Sequence, residues 1–206
     1  MSKKTLAILT IVLAILVDQV IKIYVKTHFV LGEEYKIFDW FIIHFTENNG
    51  MAMGLEFGGD TGKLFLTLFR LVAVSFILYW LIGNIKKAVH NGVIIAIALV
   101  FSGAIGNIID SVFYGVIFDS SQYQVATLFA DKPYGELFYG KVVDMFYFPL
   151  WEGILPEWIP FVGGEFFIFF QYIFNPADAF ISIGVALLFI FNKYAFPKEE
   201  EKKSEN

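Results

Sequence analysis

The sequence predicts a membrane protein, mainly α: four transmembrane helices with both termini in the cytoplasm, a small extracytoplasmic β-rich cradle, and an extended second extracytoplasmic loop. Three observations predict it. The 206 residues are 57% apolar and 17% charged, against ~45–50% and ~25% in soluble domains. Four apolar runs approach the ~20 residues that cross a bilayer. Lysines crowd one side of those runs. The net charge of −5 carries no basic excess and so points to no nucleic-acid partner. Zero Cys excludes disulfide frameworks, thiolate zinc sites, a Cys nucleophile and a lipid-modified Cys on the chain itself.

The first span covers residues 5–25. Lys3 and Lys4 precede it as in a secretory signal, but Asp18 and Lys22 interrupt the apolar run and no A-x-A site follows, so it reads as a retained helix. Residues 26–62 then lie outside, and YKIFDWFIIHF is rich in the β-branched and aromatic residues of short strands. Spans at 64–85 and 92–110 follow, joined by a turn that carries Lys86 and Lys87. The outer segment 111–174 is rich in Tyr, Phe, Trp, Pro and Gly, and its rings suit a headgroup interface. Within it, FVGGEFFIFFQYIF has a second reading as a fifth, re-entrant or interfacial segment. Residues 177–193 form the fourth span.

Lys3, Lys4, Lys86, Lys87, Lys193, Lys198, Lys202 and Lys203 fall on one side of this frame. Lys26, Lys36, Lys63, Lys132 and Lys141 are spread over much longer loops on the other, which sets both termini inside. Residues 1–198 read as one integral membrane domain without internal repeats, and 199–206 as a solvated acidic cytoplasmic tail.

An ionisable residue within a span costs about 2.5–3.5 kcal/mol on insertion scales, so each one needs a partner or a purpose. Asp18 and Lys22 share a helical face and can pair; a structural ion pair and a catalytic role both remain open. Arg70, near the outer end of the second span, can snorkel to the headgroups and reads as structural. Gly103 and Gly106 permit close helix approach, while Asn107 and Asp110 share a face and are expected to pair, as scaffold or as site. Asp144 stands alone among Val142, Val143, Met145 and Phe146, an environment that raises a carboxyl pKa and suits a proton donor. Asn175, Pro176 and Asp178 fit N-cap, N1 and N3 of a helix, where the carboxylate form is favoured. Two carboxyls in such different surroundings can activate water against an amide. His28, His44 and His90 lack metal-ligand spacing, and the G-x-S-G, H-E-x-x-H and G-x-G-D signatures of other membrane proteases are absent.

Five motifs in order resemble lipoprotein signal peptidase, also called signal peptidase II: Asp18-Gln19-Val20-Ile21-Lys22, Asn48-Asn49-Gly50-Met51-Ala52, Gly106-Asn107-Ile108-Ile109-Asp110, Val142-Val143-Asp144 and Phe174-Asn175-Pro176-Ala177-Asp178. The resemblance implies an aspartic endopeptidase of the bacterial cytoplasmic (inner) membrane, with its active site at the outer face. Its catalytic pair falls on Asp144 and Asp178. The substrate-binding or supporting positions fall on Asp18, Lys22, Asn48, Gly50, Gly106, Asn107, Asp110, Asn175 and Ala177. It further implies a diacylglyceryl-modified prolipoprotein cut just before its lipidated Cys, no metal or organic cofactor, and inhibition by the cyclic peptide globomycin. Membrane lipid is the surrounding partner, and a monomer is expected.

Two departures stand out. Ser111 replaces the Arg that usually follows the third motif, and Asp144 follows Asp110 by 34 positions, a longer gap than usual. Residues 112–141 therefore read as an insertion placed to form a lid or helix over the site, with Lys141 as a compensating charge. A proton-coupled transporter is the main rival, but it requires acids along a path to both faces. A non-enzymatic scaffold leaves Asp144 unexplained.

Overall fold

The computed structural model describes residues 1–49 and 59–196. Its frame is helical: α1 (Lys3–Lys26), α2 (Gly59–Lys86), α3 (Asn91–Ile109), α4 (Gly115–Ile117), α5 (Pro176–Ile190) and α6 (Asn192–Ala195). Among the described residues, three helices are long and apolar enough to cross a membrane, over Lys3–Lys26, Thr61–Lys86 and Asn91–Ile117. The fourth expected span, 177–193, is divided. α5 has 15 residues, about 22 Å at ~1.5 Å per residue, and the chain breaks at Phe191 before the single turn of α6.

α3 is the central helix and packs against α1, α2 and α5. Val93, Ile94, Ala96, Ile97 and Ala98 are fully buried, whereas Val12, Leu13, Leu16, Val17 and Val20 of α1 remain exposed. Apolar residues on both faces of a helix, with only one face covered by protein, are the pattern of a span. α3 and α5 approach closely because side chains are missing between them: a Cβ on Gly184 would lie 2.7 Å from the Ala96 carbonyl oxygen.

The third helix continues past its expected end at residue 110. A π-helical turn over Asp110–Tyr114 leads into α4. The insertion supplies the reason. Its backbone amides Phe138 N and Gly140 N each donate, at 2.9 Å, to the carbonyls of Val112 and Ser111, groups that a regular helix would use internally.

Two antiparallel sheets follow from the β-rich segments. β1 (Glu34–Phe38), β2 (Phe41–Asn48) and β3 (Val142–Tyr147) form a three-stranded sheet in that order, and β4 (Trp151–Ile154) pairs with β5 (Phe166–Phe169). The stretch expected as strands or as a re-entrant segment thus divides cleanly: YKIFDWFIIHF spans β1 and β2, and FFIF of the later stretch is a hairpin strand.

Strand parity corrects the expectation for residues 112–141. Thr46 pairs with Asp144, and Val142 with Asn48, so alternation turns Val143 and Met145 to the opposite face. There they pack with Phe45, Tyr114, Phe118 and Ala126. The insertion covers the back of the sheet, away from Asp144, and is not a lid over it. Lys141 likewise faces Glu47, at 3.6 Å.

Buried Lys26 closes this layer. It donates to Glu47 and, at 2.9 Å, to Ser121 Oγ, and lies 5.2 Å from the centroid of the Phe118 ring. One ammonium therefore ties α1, β2 and the insertion together. Glu47→Gln is expected to lower stability by roughly 3 kcal/mol or more, because it strands a buried charge. Lys26→Met combined with Glu47→Gln should recover much of the loss; thermal unfolding in detergent measures both, and equal stability of Glu47→Gln and wild type would show that the pair holds nothing.

Candidate active site

At the sheet-bearing end of the bundle, α1 and α3 bring Asp18, Lys22 and Asp110 together, all fully buried. Helical spacing places Lys22 Nζ 3.1 Å from Asp18 Oδ2, and α3 adds Asp110 Oδ2 at 2.7 Å. A third bond runs from Lys22 Nζ to Asn107 Oδ1 at 2.8 Å. Gln19 Nε2 donates to Asp18 Oδ2 and Asp110 Oδ1, each at 3.0 Å, and Gln19 Oε1 accepts from the Tyr114 hydroxyl at 3.1 Å.

The carboxylates also reach outward. Asp18 Oδ1 accepts the Ala177 N–H at 2.9 Å, which places an anion on the first turn of α5. Asp110 Oδ2 accepts the Val143 N–H at 3.3 Å, one residue before Asp144. Gly106 makes room for this arrangement: a Cβ there would run into the Asp18 carboxylate and sit 3.2 Å from the Ala177 Cβ.

Asp144 and Asp178 come together through amides. The N-terminus of α5 is a capping box, in which Asn175 Oδ1 accepts from Asp178 N at 3.0 Å and Asp178 Oδ2 accepts from Asn175 N at 3.3 Å. Asn175 Nδ2 donates to Asp144 Oδ1 at 2.6 Å and to Asn107 Oδ1 at 3.1 Å, while Asn107 Nδ2 donates to Asp178 Oδ1 at 2.9 Å. Asn48 donates to the other oxygen of Asp144. Phe174 fixes the approach by bridging Phe146 of β3, with Phe146 N to Phe174 O at 2.8 Å and Phe174 N to Phe146 O at 3.0 Å. Asp144 is buried, Asp178 half-buried. Burial, then the charge of Asp178, holds the Asp144 carboxyl up at about 7, against an ordinary value of 3.8.

Several expectations change in detail. Asp144 is not a lone acid, since Asn48 and Asn175 engage both of its oxygens. Asn107 turns to Asp178, Asn175 and Lys22 rather than to Asp110. Ser111 is buried and donates to the Asn107 carbonyl at 2.9 Å. Gly50, with Met51 and Ala52, lies outside the described residues, as does the tail at 199–206.

Arg70, read as a snorkelling cation, acts electrostatically on both Asp178 and Asp144. Gln19 and Tyr114 are further members that the sequence reading did not single out; Gln19 was visible inside the first motif, Tyr114 had no signal. Among the described residues, no group of three or more His, Asp or Glu is disposed to hold a metal ion.

Fold and site together define a multi-pass membrane protein that presents two amide-linked carboxyls at one end of a helix bundle. A family model for signal peptidase (SPase) II matches residues 10–193. The lipoprotein signal peptidase of Porphyromonas gingivalis is 53% identical over 182 residues, covering 87% of this chain and 79% of that one. The lipoprotein signal peptidase of Amoebophilus asiaticus is 34% identical over 195 residues, covering 92% and 78%. A solved bacterial membrane enzyme at 2.3 Å resolution matches with a TM-score of 0.58 and 25% identity, over 94% of this chain and 92% of that one. A second, at 1.9 Å, matches with a TM-score of 0.58 and 26% identity, over 94% and 93%. The chain belongs to the signal peptidase II family.

Gly106→Ala is expected to cost about 1–3 kcal/mol through overpacking. Gly83→Ala, where a Cβ meets nothing within 4 Å, should be neutral or slightly stabilising. Thermal unfolding of the two variants side by side tests whether the contact at Asp18 sets the difference.

Proposed function

We propose that the chain is an aspartic endopeptidase that removes the signal peptide from diacylglyceryl-modified prolipoproteins, cutting just before the lipidated Cys. The observation that carries this reading is the pair Asp144 and Asp178, each held by one of two amides, Asn175 and Asn107, that also bond each other. Family membership supports the substrate class. The finer reading is one integral domain, residues 1–198, with four spans, both termini inside, in the bacterial inner membrane. The acids open toward the outer face, globomycin competes for the site, and the enzyme acts as a monomer.

The chemistry follows from the environments. Asp178 as carboxylate takes a proton from water while the water oxygen bonds to the scissile carbonyl carbon; protonated Asp144 gives its proton to the carbonyl oxygen. Collapse of the resulting diol breaks the C–N bond as Asp178 passes its proton to the departing nitrogen of the Cys residue and Asp144 takes one back from a diol hydroxyl. Asn48, Asn107 and Asn175 orient the carboxyls. Asp18, Lys22, Asp110, Gly106 and Ala177 set the elements that carry them, and Gly50 is assigned by the family motif alone. The transporter reading fares worse, because the opposite end of the bundle is closed by Ala7, Leu81, Val93, Ile94 and Ile97.

Asp144→Asn and Asp178→Asn are each expected to slow cleavage by ~10²–10⁴ or more, read by gel shift with a diacylglyceryl prolipoprotein in detergent at equal folded amounts. Should Asp178→Asn still cleave at the wild-type rate, Asp178 is only a helix cap.

Asp144 also predicts a pH dependence. Cleavage should decline as pH rises through about 7, where the donor loses its proton. With the native pKa above the ordinary 3.8, the folded state holds the extra proton across that window, so the contribution of Asp144 to stability falls as pH rises from about 4 to about 7. Denaturation midpoints across that range should carry this slope in wild type and lose it in Asp144→Asn.

A further inference from the structure

At the end of the bundle opposite the sheets, the break in the fourth helix leaves a cavity of about 700 Å³ between α2, the turn after it and α6. Aromatic rings frame it. Trp80 of α2 stacks on Phe196 with centroids 5.8 Å apart, and Tyr194 of α6 stacks on His90 at 4.8 Å. Gly83 also lines it, and a Cβ there would meet nothing within 4 Å. Lys86 and Lys87 complete the lining and are exposed. Neither ammonium has a hydrogen-bond or ion-pair partner among the described residues. No Asp or Glu occurs in residues 1–17, 61–109 or 179–196, the stretches that build this end, so no helix packed here offers those cations a carboxylate.

An apolar groove of about 470 Å³ opens beside the cavity along α2, lined by Val72, Ser75, Phe76 and Tyr79. Tyr79 belongs to both. The Ser75 hydroxyl is turned back on its own helix, donating to the Leu71 carbonyl at 2.8 Å. Val72, Phe76, Tyr79 and Gly83 follow i, i+4, i+7, i+11 spacing and so form one stripe. That stripe runs ~16 Å at ~1.5 Å per residue, about half of the ~30 Å hydrocarbon core and therefore the depth of one leaflet.

We propose that cavity and groove together bind one anionic phospholipid, its phosphate against Lys86 and Lys87 and an acyl chain along Tyr79, Phe76 and Val72. A cationic chamber framed by rings and joined to an apolar channel one leaflet deep matches a phosphate ester with long hydrocarbon tails. A soluble phosphate would occupy the chamber and leave the groove unused. Bound lipid ties α6 to the end of α2, across the gap where the fourth helix breaks. This end of the bundle is remote from Asp144, so the site stands apart from the reaction proposed there. The chain's own competing anions are Glu199, Glu200 and Glu201 of the tail, outside the described residues.

The test titrates delipidated full-length protein, in non-ionic detergent, with phosphatidylglycerol or phosphatidylcholine of the same acyl chains. Thermal unfolding and the number of lipids retained in native mass spectrometry are the two readouts. One phosphatidylglycerol should be retained and should raise Tm by roughly 5 °C near saturation, with a much smaller rise for phosphatidylcholine and none for inorganic phosphate. Lys86→Gln combined with Lys87→Gln changes only exposed side chains and should abolish the preference. Gly83→Leu fills the cavity while keeping both charges, and should weaken phosphatidylglycerol binding about tenfold or more; if that variant does not fold, the lysine pair decides alone. Equal shifts with the two lipids in wild type overturn the proposal, as does a preference that survives loss of both lysines or a matching shift with inorganic phosphate. A preference that emerges only when residues 199–206 are removed assigns the cavity to the tail and overturns it as well.

Discussion

The site depends on one ammonium group that is sealed from bulk solvent. Lys22 is fully buried, and a buried ion costs several kcal/mol unless its partners are well placed. Asp18, Asp110 and Asn107 meet that need at 3.1, 2.7 and 2.8 Å. Each carboxylate would be as costly to bury without Lys22 as Lys22 without them. The remaining oxygen contacts then become constraints on other elements. Through Ala177 N, Asp18 sets where α5 begins; through Val143 N, Asp110 sets the height of β3. Asp178 and Asp144 are carried by those two elements, so their meeting is a consequence of the ion cluster rather than an independent piece of packing.

The same residue type is treated in two ways within one end of the bundle. Asp18 and Asp110 have an ammonium in contact, which neutralises charge and makes them suitable as struts. Among the described residues, the side chains hydrogen-bonded to Asp144 are the carboxamides of Asn48 and Asn175. An amide orients a carboxyl without supplying a full opposing charge, so burial prevails and the proton affinity of Asp144 stays high. Exchanging these environments would leave two neutralised acids at the sheet and an unsupported pair between helices. Asp18 and Asp110 thus differ from Asp144 in the partner each meets, a cation for the first two and amides for the third.

Local patterns in the chain made part of this readable. The i, i+4 spacing of Asp18 and Lys22 and the Asn-Pro-x-Asp helix start are satisfied within a few residues, and both form as expected. Strands in YKIFDWFIIHF were legible for the same reason. What escaped depends on contacts between distant segments. Asn48 reaches Asp144 across 96 positions, so Asp144 looked solitary, and Lys22 displaced the expected pairing of Asn107 with Asp110 from another helix. The side on which the insertion packs was accessible in principle: in Val143-Asp144-Met145 the two apolar residues must turn away from the acid, and an apolar face so created needs a cover. Length and position alone suggested a lid, and strand parity decides against one.

The brevity of α5 has its cause in the same cluster. Asp18 binds the first turn of α5, yet α1 continues from Asp18 for eight more residues to Lys26, a rise of ~12 Å. The start of α5 is therefore recessed by about that distance below the sheet-bearing end of α1. A bilayer core is ~30 Å thick, so a helix starting ~12 Å down has roughly 18 Å left to cross, and the 15 residues of α5 supply about 22 Å. A full-length fourth helix would have to begin higher, where neither Asp18 nor Asn107 could reach its first turn. Recession also explains why a sheet is needed at all: Asp144 must be lowered toward Asp178 from above the helix ends, and an edge strand held by Asp110 at Val143 N and by the Phe146–Phe174 bridge does so with those backbone groups partnered. The short helix and the descending strand are two halves of one solution to placing a pair of acids below the surface while keeping them joined to it.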